Sequence, residues 1–318
     1  MRKLLILVPF QAYHMDRIRR AVGSDFEIEF HPHGLPEEEL RLALADAEVV
    51  IGEPAPHLLH ETRSVKWVQM TWAGTDLYTR GSLSFPEGMR LTNASGGFGN
   101  IISQYVVGQT LSLMQNLPHY RLQQQEDKWA DLGPVASLEG ATVMIFGAGN
   151  IGSEIARRLQ GFDCTIMGIC RSPQKNRTYF DSLFTLSQAE WMLPLADVVI
   201  GCIPNTEETC HFLNEKRLRT MKAGAVLVNV GRGNFIDCEA LARVLAEGHL
   251  RGAALDVTEP EPLPVGHPLW KEPRCVITPH VSGGSFGRHK ITEDLICDIC
   301  CKNLMKWRDG EPLNNIIL

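Results

Sequence analysis

Several features are missing from this sequence of 318 residues, and each absence removes a class of function. No apolar run comes near the ~20 residues that a membrane-spanning helix needs, so no membrane role is expected. Blocks of basic residues are absent and the net charge is −6, which gives nucleic acid or an anionic lipid surface nothing to hold. The nine cysteines show no paired spacing, and an odd number in a long chain reads as reduced thiols in a cytoplasmic protein. Cys297, Cys300 and Cys301 lie in a helical pattern with no second pair or nearby histidine, so a structural role is expected and no metal. Met1-Arg2-Lys3 followed by Leu4–Val8 faintly suggests a signal peptide. The apolar part is short and Gln11-Ala12-Tyr13-His14 is a poor cleavage site, so a first buried strand explains it better. No internal repeat or low-complexity tract is present.

What is present is the composition of an ordinary globular protein, 44% hydrophobic and 21% charged. The length exceeds one compact core and predicts about two domains. Short apolar runs at Leu4–Val8, Glu27–Phe30, Val49–Ile51, Val65–Met70 and Arg90–Thr92 alternate with amphipathic stretches such as Glu37–Leu44. That alternation predicts βαβ units and a parallel sheet. Asn93–Gly99, rich in glycine, is the best hinge candidate, and Ile101–Leu117 reads as a long buried helix. A second series of strands is expected at Thr142–Phe146, Thr165–Ile169, Val198–Cys202, Ala225–Asn229, Gly252–Asp256 and Val276–Thr278, with helices between them such as Glu239–Glu247. Ser285–Trp307 reads as one long helix that returns to the first domain. The expected division is 1–98, 99–284 and 285–318: an α/β protein with a doubly wound second domain.

The turn Gly147-Ala148-Gly149-Asn150-Ile151-Gly152 follows one predicted strand and opens a predicted helix, the context in which GxGxxG signals a dinucleotide. The first glycine permits the turn, the second admits the pyrophosphate, and the third lets helix pack on strand. Asn150 and Ile151 open the helix whose N-terminus faces the phosphates. A carboxylate roughly 20 residues further on would bind the ribose hydroxyls of NAD. Here that strand ends in Cys170-Arg171-Ser172, with Lys175 and Arg177 close behind, which predicts preference for NADP(H) over NAD(H).

Three polar residues past strand ends suit the chemistry of a nicotinamide enzyme. Arg232, between Gly231 and Gly233, can hold a carboxylate bidentately, and the flanking glycines allow close approach to a ligand. His280, in Thr278-Pro279-His280, can exchange a proton near neutral pH. Glu261 and Glu259 compete to orient that imidazole, and the residues alone do not choose between them.

These motifs occur in the order seen in the D-isomer-specific 2-hydroxyacid dehydrogenases, and the chain resembles the glyoxylate/hydroxypyruvate reductase branch. The resemblance implies a flavodoxin-like substrate domain closing on a Rossmann cofactor domain, and a homodimer through the cofactor domains. It carries the catalytic set over to Arg232, Glu261 and His280, in favour of Glu261. It places the substrate carboxylate on Ala73, Gly74 and the following backbone, and Asp256 near the nicotinamide carboxamide. Pro204, Thr206, Val230 and Gly283 complete the expected cofactor groove. Trp72 is either a pocket wall or a core residue. Where the family helix begins with Ala-Glu, this chain has Ser103-Gln104, which removes a charge. The expected activity is hydride transfer between NADP(H) and a small 2-oxo acid. The alternatives are an NAD-dependent enzyme for bulkier 2-hydroxy acids and a nucleotide-sensing binding protein like the C-terminal binding protein corepressors.

Overall fold

The computed structural model describes residues 2–79, 85–173 and 178–318. It divides into two compact units, Met1–Phe98 with Gly284–Leu318, and Gly99–Gly283. Both are parallel sheets with helical crossovers, an α/β fold.

The first unit runs β1 (Arg2–Ile6), α1 (Ala12–Val22), β2 (Phe26–Phe30), α2 (Glu37–Leu44), β3 (Val49–Ile51), α3 (Pro56–Glu61), β4 (Trp67–Gln69), α4 (Asp76–Thr79) and β5 (Arg90–Thr92). Its strand order is β2-β1-β3-β4-β5, the flavodoxin-like order. The central strands are buried on both faces, as in a covered parallel sheet. The C-terminal helix of this unit spans Lys290–Asp309, five residues later than the sequence pattern suggests. Gly287, at φ +73°, interrupts any earlier start, and the His289 imidazole caps the helix by accepting the Thr292 N–H. Asn303 of this helix donates to Gln69 Oε1 at 2.8 Å, and Gln69 also accepts from Thr92, so a buried amide network ties helix to sheet. Cys297, Cys300 and Cys301 are buried in the same helix.

The second unit runs α5 (Gly99–Met114), α6 (Leu117–Gln125), β6 (Thr142–Phe146), α7 (Asn150–Leu159), β7 (Thr165–Ile169), β8 (Ser182–Phe184), α8 (Leu186–Met192), β9 (Val198–Gly201), α9 (Glu215–Thr220), β10 (Val226–Asn229), α10 (Cys238–Ala246), β11 (Gly252–Leu255) and β12 (Cys275–Ile277). The helix Lys290–Asp309 is therefore α11. The predicted helix over 101–117 breaks at Asn116, which takes φ +58°, because Pro118 in the next turn cannot continue the hydrogen-bond ladder. β8 has no signal in the sequence; it is short, half-buried and paired along one side with β7.

The strand order β12-β11-β10-β9-β6-β7-β8 is that of a doubly wound dinucleotide domain. It reverses direction between β6 and β9, where ligands bind beyond the strands' carboxyl ends. Phe146, at the end of β6, packs against Phe212 and Phe235 at 5.3 and 5.0 Å between ring centroids. Phe212 and Phe235 belong to the segments that follow β9 and β10, so the cluster ties both segments to β6.

Candidate active site

The glycine turn is built for close approach. Gly147 adopts φ +107°, and a Cβ there would lie 2.8 Å from the Cys202 carbonyl oxygen. A Cβ on Gly152 would overlap the carbonyl of Gly147, so only glycine lets α7 sit this close to β6. Gly149 has open space on its Cβ side. It is the N-cap of α7 and offers no side-chain cap, which leaves the first-turn N–H groups at Asn150, Ile151 and Gly152 for an anion. These three positions fit the diphosphate of a dinucleotide. Beneath the turn, the Cys202 thiol donates to the Phe146 and Gly147 carbonyls at 3.1 and 3.2 Å, and burial pushes it up to about 12.

At the end of β7, Cys170 is half-buried while Arg171 and Ser172 are exposed. Lys175 and Arg177 lie outside the described residues. The loop after β9 presents Pro204 and Thr206, both exposed, and braces itself through Thr209. Thr209 Oγ1 donates to the Pro204 carbonyl at 2.9 Å and accepts the Thr206 N–H at 2.8 Å. Val230 is buried at the end of β10, and Gly283 is partly exposed at the end of the second unit.

Arg232, Glu261 and His280 follow β10, β11 and β12, three neighbouring strands of one sheet. Asn229 fixes the Arg232 backbone: its side chain donates to the Arg232 carbonyl at 2.9 Å and accepts the Gly231 N–H at 3.1 Å. Packing requires glycine at both flanking positions. A Cβ on Gly231 would meet the Ile203 N at 2.8 Å, and one on Gly233 would overlap the Thr258 backbone. Arg232 itself is half-buried, and its guanidinium donates to the Gly231 carbonyl at 2.8 Å.

The carboxylate of Glu261 lies 2.7 Å from His280 Nδ1, whereas Glu259 lies 2.7 Å from His211 Nε2. The geometry thus distinguishes the two glutamates. A carboxylate only accepts, so Nδ1 of His280 carries the proton in this bond and Nε2 is left for a reacting group. Asp256 is 1% exposed. Its carboxylate accepts from the Thr278 hydroxyl and from the Val281 and Ser282 N–H groups, all on the His280 segment. Asn229 and Thr209 carry no motif of their own, and Thr278 belongs to the Thr278-Pro279-His280 motif without a role assigned from sequence; their position beside a strand end or a motif residue was the available signal.

In the first unit, Trp72 is 49% exposed, which excludes the core alternative. Ala73 and Gly74 are half-buried in the loop after β4. Asn93 donates to the Ala73 carbonyl at 2.7 Å, and Glu53 accepts the Thr71 N–H and hydroxyl at 2.6 and 2.9 Å. Burial raises the Glu53 carboxyl above its ordinary range. At the altered Ser103-Gln104 pair, Ser103 accepts from Arg158 Nε at 2.5 Å, and Gln104 donates to Asn100. The pair is engaged within the second unit. A concavity of about 670 Å³ lies by Tyr120, Gln124 and Trp129 and contains none of these groups.

Comparison with known proteins agrees with this geometry. Residues 107–282 match the family described as D-isomer specific 2-hydroxyacid dehydrogenase, NAD binding domain. A glyoxylate reductase from Thermofilum pendens is 34% identical over 235 residues, 71% of this chain and 67% of that protein. Glyoxylate/hydroxypyruvate reductase A from Serratia proteamaculans is 30% identical over 241 residues, 73% of this chain and 75% of that protein. A D-isomer specific 2-hydroxyacid dehydrogenase family protein from Aeromonas salmonicida has a solved structure that superposes with a TM-score of 0.86 at 35% identity, covering 100% of this chain and 99% of its own. The corepressor-like reading is set aside. The chain belongs to the D-isomer specific 2-hydroxyacid dehydrogenase family, in its glyoxylate/hydroxypyruvate reductase branch, and is an NAD(P)-dependent oxidoreductase.

Proposed function

We propose that this enzyme is an NADP(H)-preferring reductase of small 2-oxo acids of the glyoxylate or hydroxypyruvate type. One observation carries the reading: a guanidinium and a Glu261–His280 pair stand beyond the ends of three adjacent strands in a dinucleotide-binding sheet. When bound, the nicotinamide supplies the hydride that reduces the carbonyl carbon. Arg232 holds the substrate carboxylate and polarises the keto oxygen as charge builds there. His280, oriented through Nδ1 by Glu261, donates the proton from Nε2 to that oxygen. Ala73 and Gly74, and Trp72 beside them, are proposed to meet the substrate on the first unit, a role that rests on family resemblance.

The cofactor preference rests on β7. The residue at its end is Cys170, where a carboxylate would repel a 2′-phosphate, and exposed Arg171 and Ser172 follow with donors suited to one. Asp256 and the loop at Pro204–Thr206 complete the proposed nicotinamide end. We further propose a homodimer. α6 buries none of its residues, and Leu117, Leu122, Trp129 and Val135 on it and just beyond are exposed. A second copy covering that face gives this apolar surface a partner. The reduced thiols fit a cytoplasmic location.

The test is a panel of glyoxylate, hydroxypyruvate, pyruvate and phenylpyruvate, each with NADPH and NADH. The expected result is the highest kcat/KM for glyoxylate or hydroxypyruvate with NADPH. A clear preference for NADH sinks the assignment of Arg171 and Ser172, and phenylpyruvate as best substrate sinks the small-substrate reading. Light scattering at micromolar concentration tests the dimer.

A further inference from the structure

His280 projects from an uncommon backbone state. Its φ is +52°, in the left-handed region that residues with a Cβ adopt uncommonly. Asp256 holds this segment in two ways. The Asp256 carbonyl accepts the His280 N–H at 2.9 Å, sharing it with the Thr278 carbonyl at 3.0 Å, and the Asp256 carboxylate takes the N–H groups of Val281 and Ser282, each at 2.9 Å.

The carboxylate is held in turn from outside. Thr278 Oγ1 lies 2.6 Å from Asp256 Oδ1, and the hydroxyl of Tyr105, on α5, lies 2.7 Å from Thr278 Oγ1. The direction of these bonds follows from valence. An ionised carboxylate only accepts, so Thr278 spends its one proton on Asp256, and Tyr105 must donate to the threonine oxygen. Burial pushes the Tyr105 hydroxyl up to about 12, so it keeps its proton throughout the neutral range. Tyr105 thus ends a directed chain of donors leading to the anchor of the His280 backbone.

We propose that Tyr105 is a positioning residue for the proton donor: through Thr278 it locks the Asp256 carboxylate, and so fixes the backbone from which His280 reaches the reacting oxygen. The proposal rests on His280 acting as the proton donor, and its test separates the two ideas.

Tyr105→Phe removes one hydroxyl and keeps the ring. Thr278→Val removes the relay hydroxyl at nearly constant shape, and Thr278→Ser restores it. Hydrogen exchange at the amides of Val281 and Ser282 reads the clamp without any turnover. It is expected to quicken several-fold in Tyr105→Phe and Thr278→Val and to return to the wild-type rate in Thr278→Ser. kcat is expected to fall about fivefold in each of the first two, the worth of one neutral hydrogen bond, with KM for NADPH unchanged. The double variant is expected to lose little beyond either single one, because both break the same chain. Wild-type exchange rates in Tyr105→Phe overturn the proposal, as does faster exchange with unchanged kcat. If His280→Ala keeps full turnover, the proton-donor reading falls and the positioning role with it, whereas full activity in Tyr105→Phe beside a dead His280→Ala overturns the positioning role alone.

Discussion

Two histidine–glutamate pairs in the second unit are nearly twins. His280 meets Glu261 and His211 meets Glu259, both at 2.7 Å, and the four side chains are 44–54% exposed. Both histidines have positive φ, +52° and +45°. What differs is the support. His280 follows β12 and is clamped by a buried aspartate that also reaches Tyr105. His211 lies in a turn before α9, its N–H held by the Asn234 carbonyl at 2.6 Å. A short bond between two exposed groups is cheap and common at a protein surface. A site is marked instead by what holds the pair and by what else stands at the same strand ends.

The largest expected effect is on His280. His280→Ala is expected to lower kcat by about a hundredfold or more, since general acid catalysis is worth that much. Steady-state turnover of glyoxylate with NADPH checks it. Glu261→Gln comes next, with a fall in kcat of about tenfold, the lower end for a hydrogen bond to a charged group. Glu259→Gln in the same assay separates the two pairs, and equal losses in both would erase the distinction. His211→Ala is expected to change kcat by less than about twofold, because an exposed ion pair of this kind contributes little. A thermal melt of that variant shows whether the change is confined to the loop.

The fold was legible because its signals are local. The apolar runs at Val49–Ile51, Thr142–Phe146 and Thr165–Ile169 coincide with β3, β6 and β7, and Glu37–Leu44 with α2. β8 was hidden because Ser182–Phe184 is short, half-buried and lies at the edge of its sheet. The start of α11 was overrun because the apolar period continues through a turn that Gly287 and the His289 cap enforce. At the site, Arg232, Glu261 and His280 were visible as polar residues past strand ends. Neither the prolines nor the spacing chose between Glu259 and Glu261, because residues two apart in a loop turn to different partners only through tertiary structure. Tyr105 lies in a helix more than a hundred residues from Thr278, so no pattern along the chain links them.

The most direct measurement is kcat/KM for glyoxylate with NADPH in the wild type, His280→Ala and His211→Ala side by side. The account predicts wild-type behaviour for His211→Ala within about twofold and a loss of at least about a hundredfold for His280→Ala. Equal losses in the two variants, or turnover that survives in His280→Ala, would contradict it.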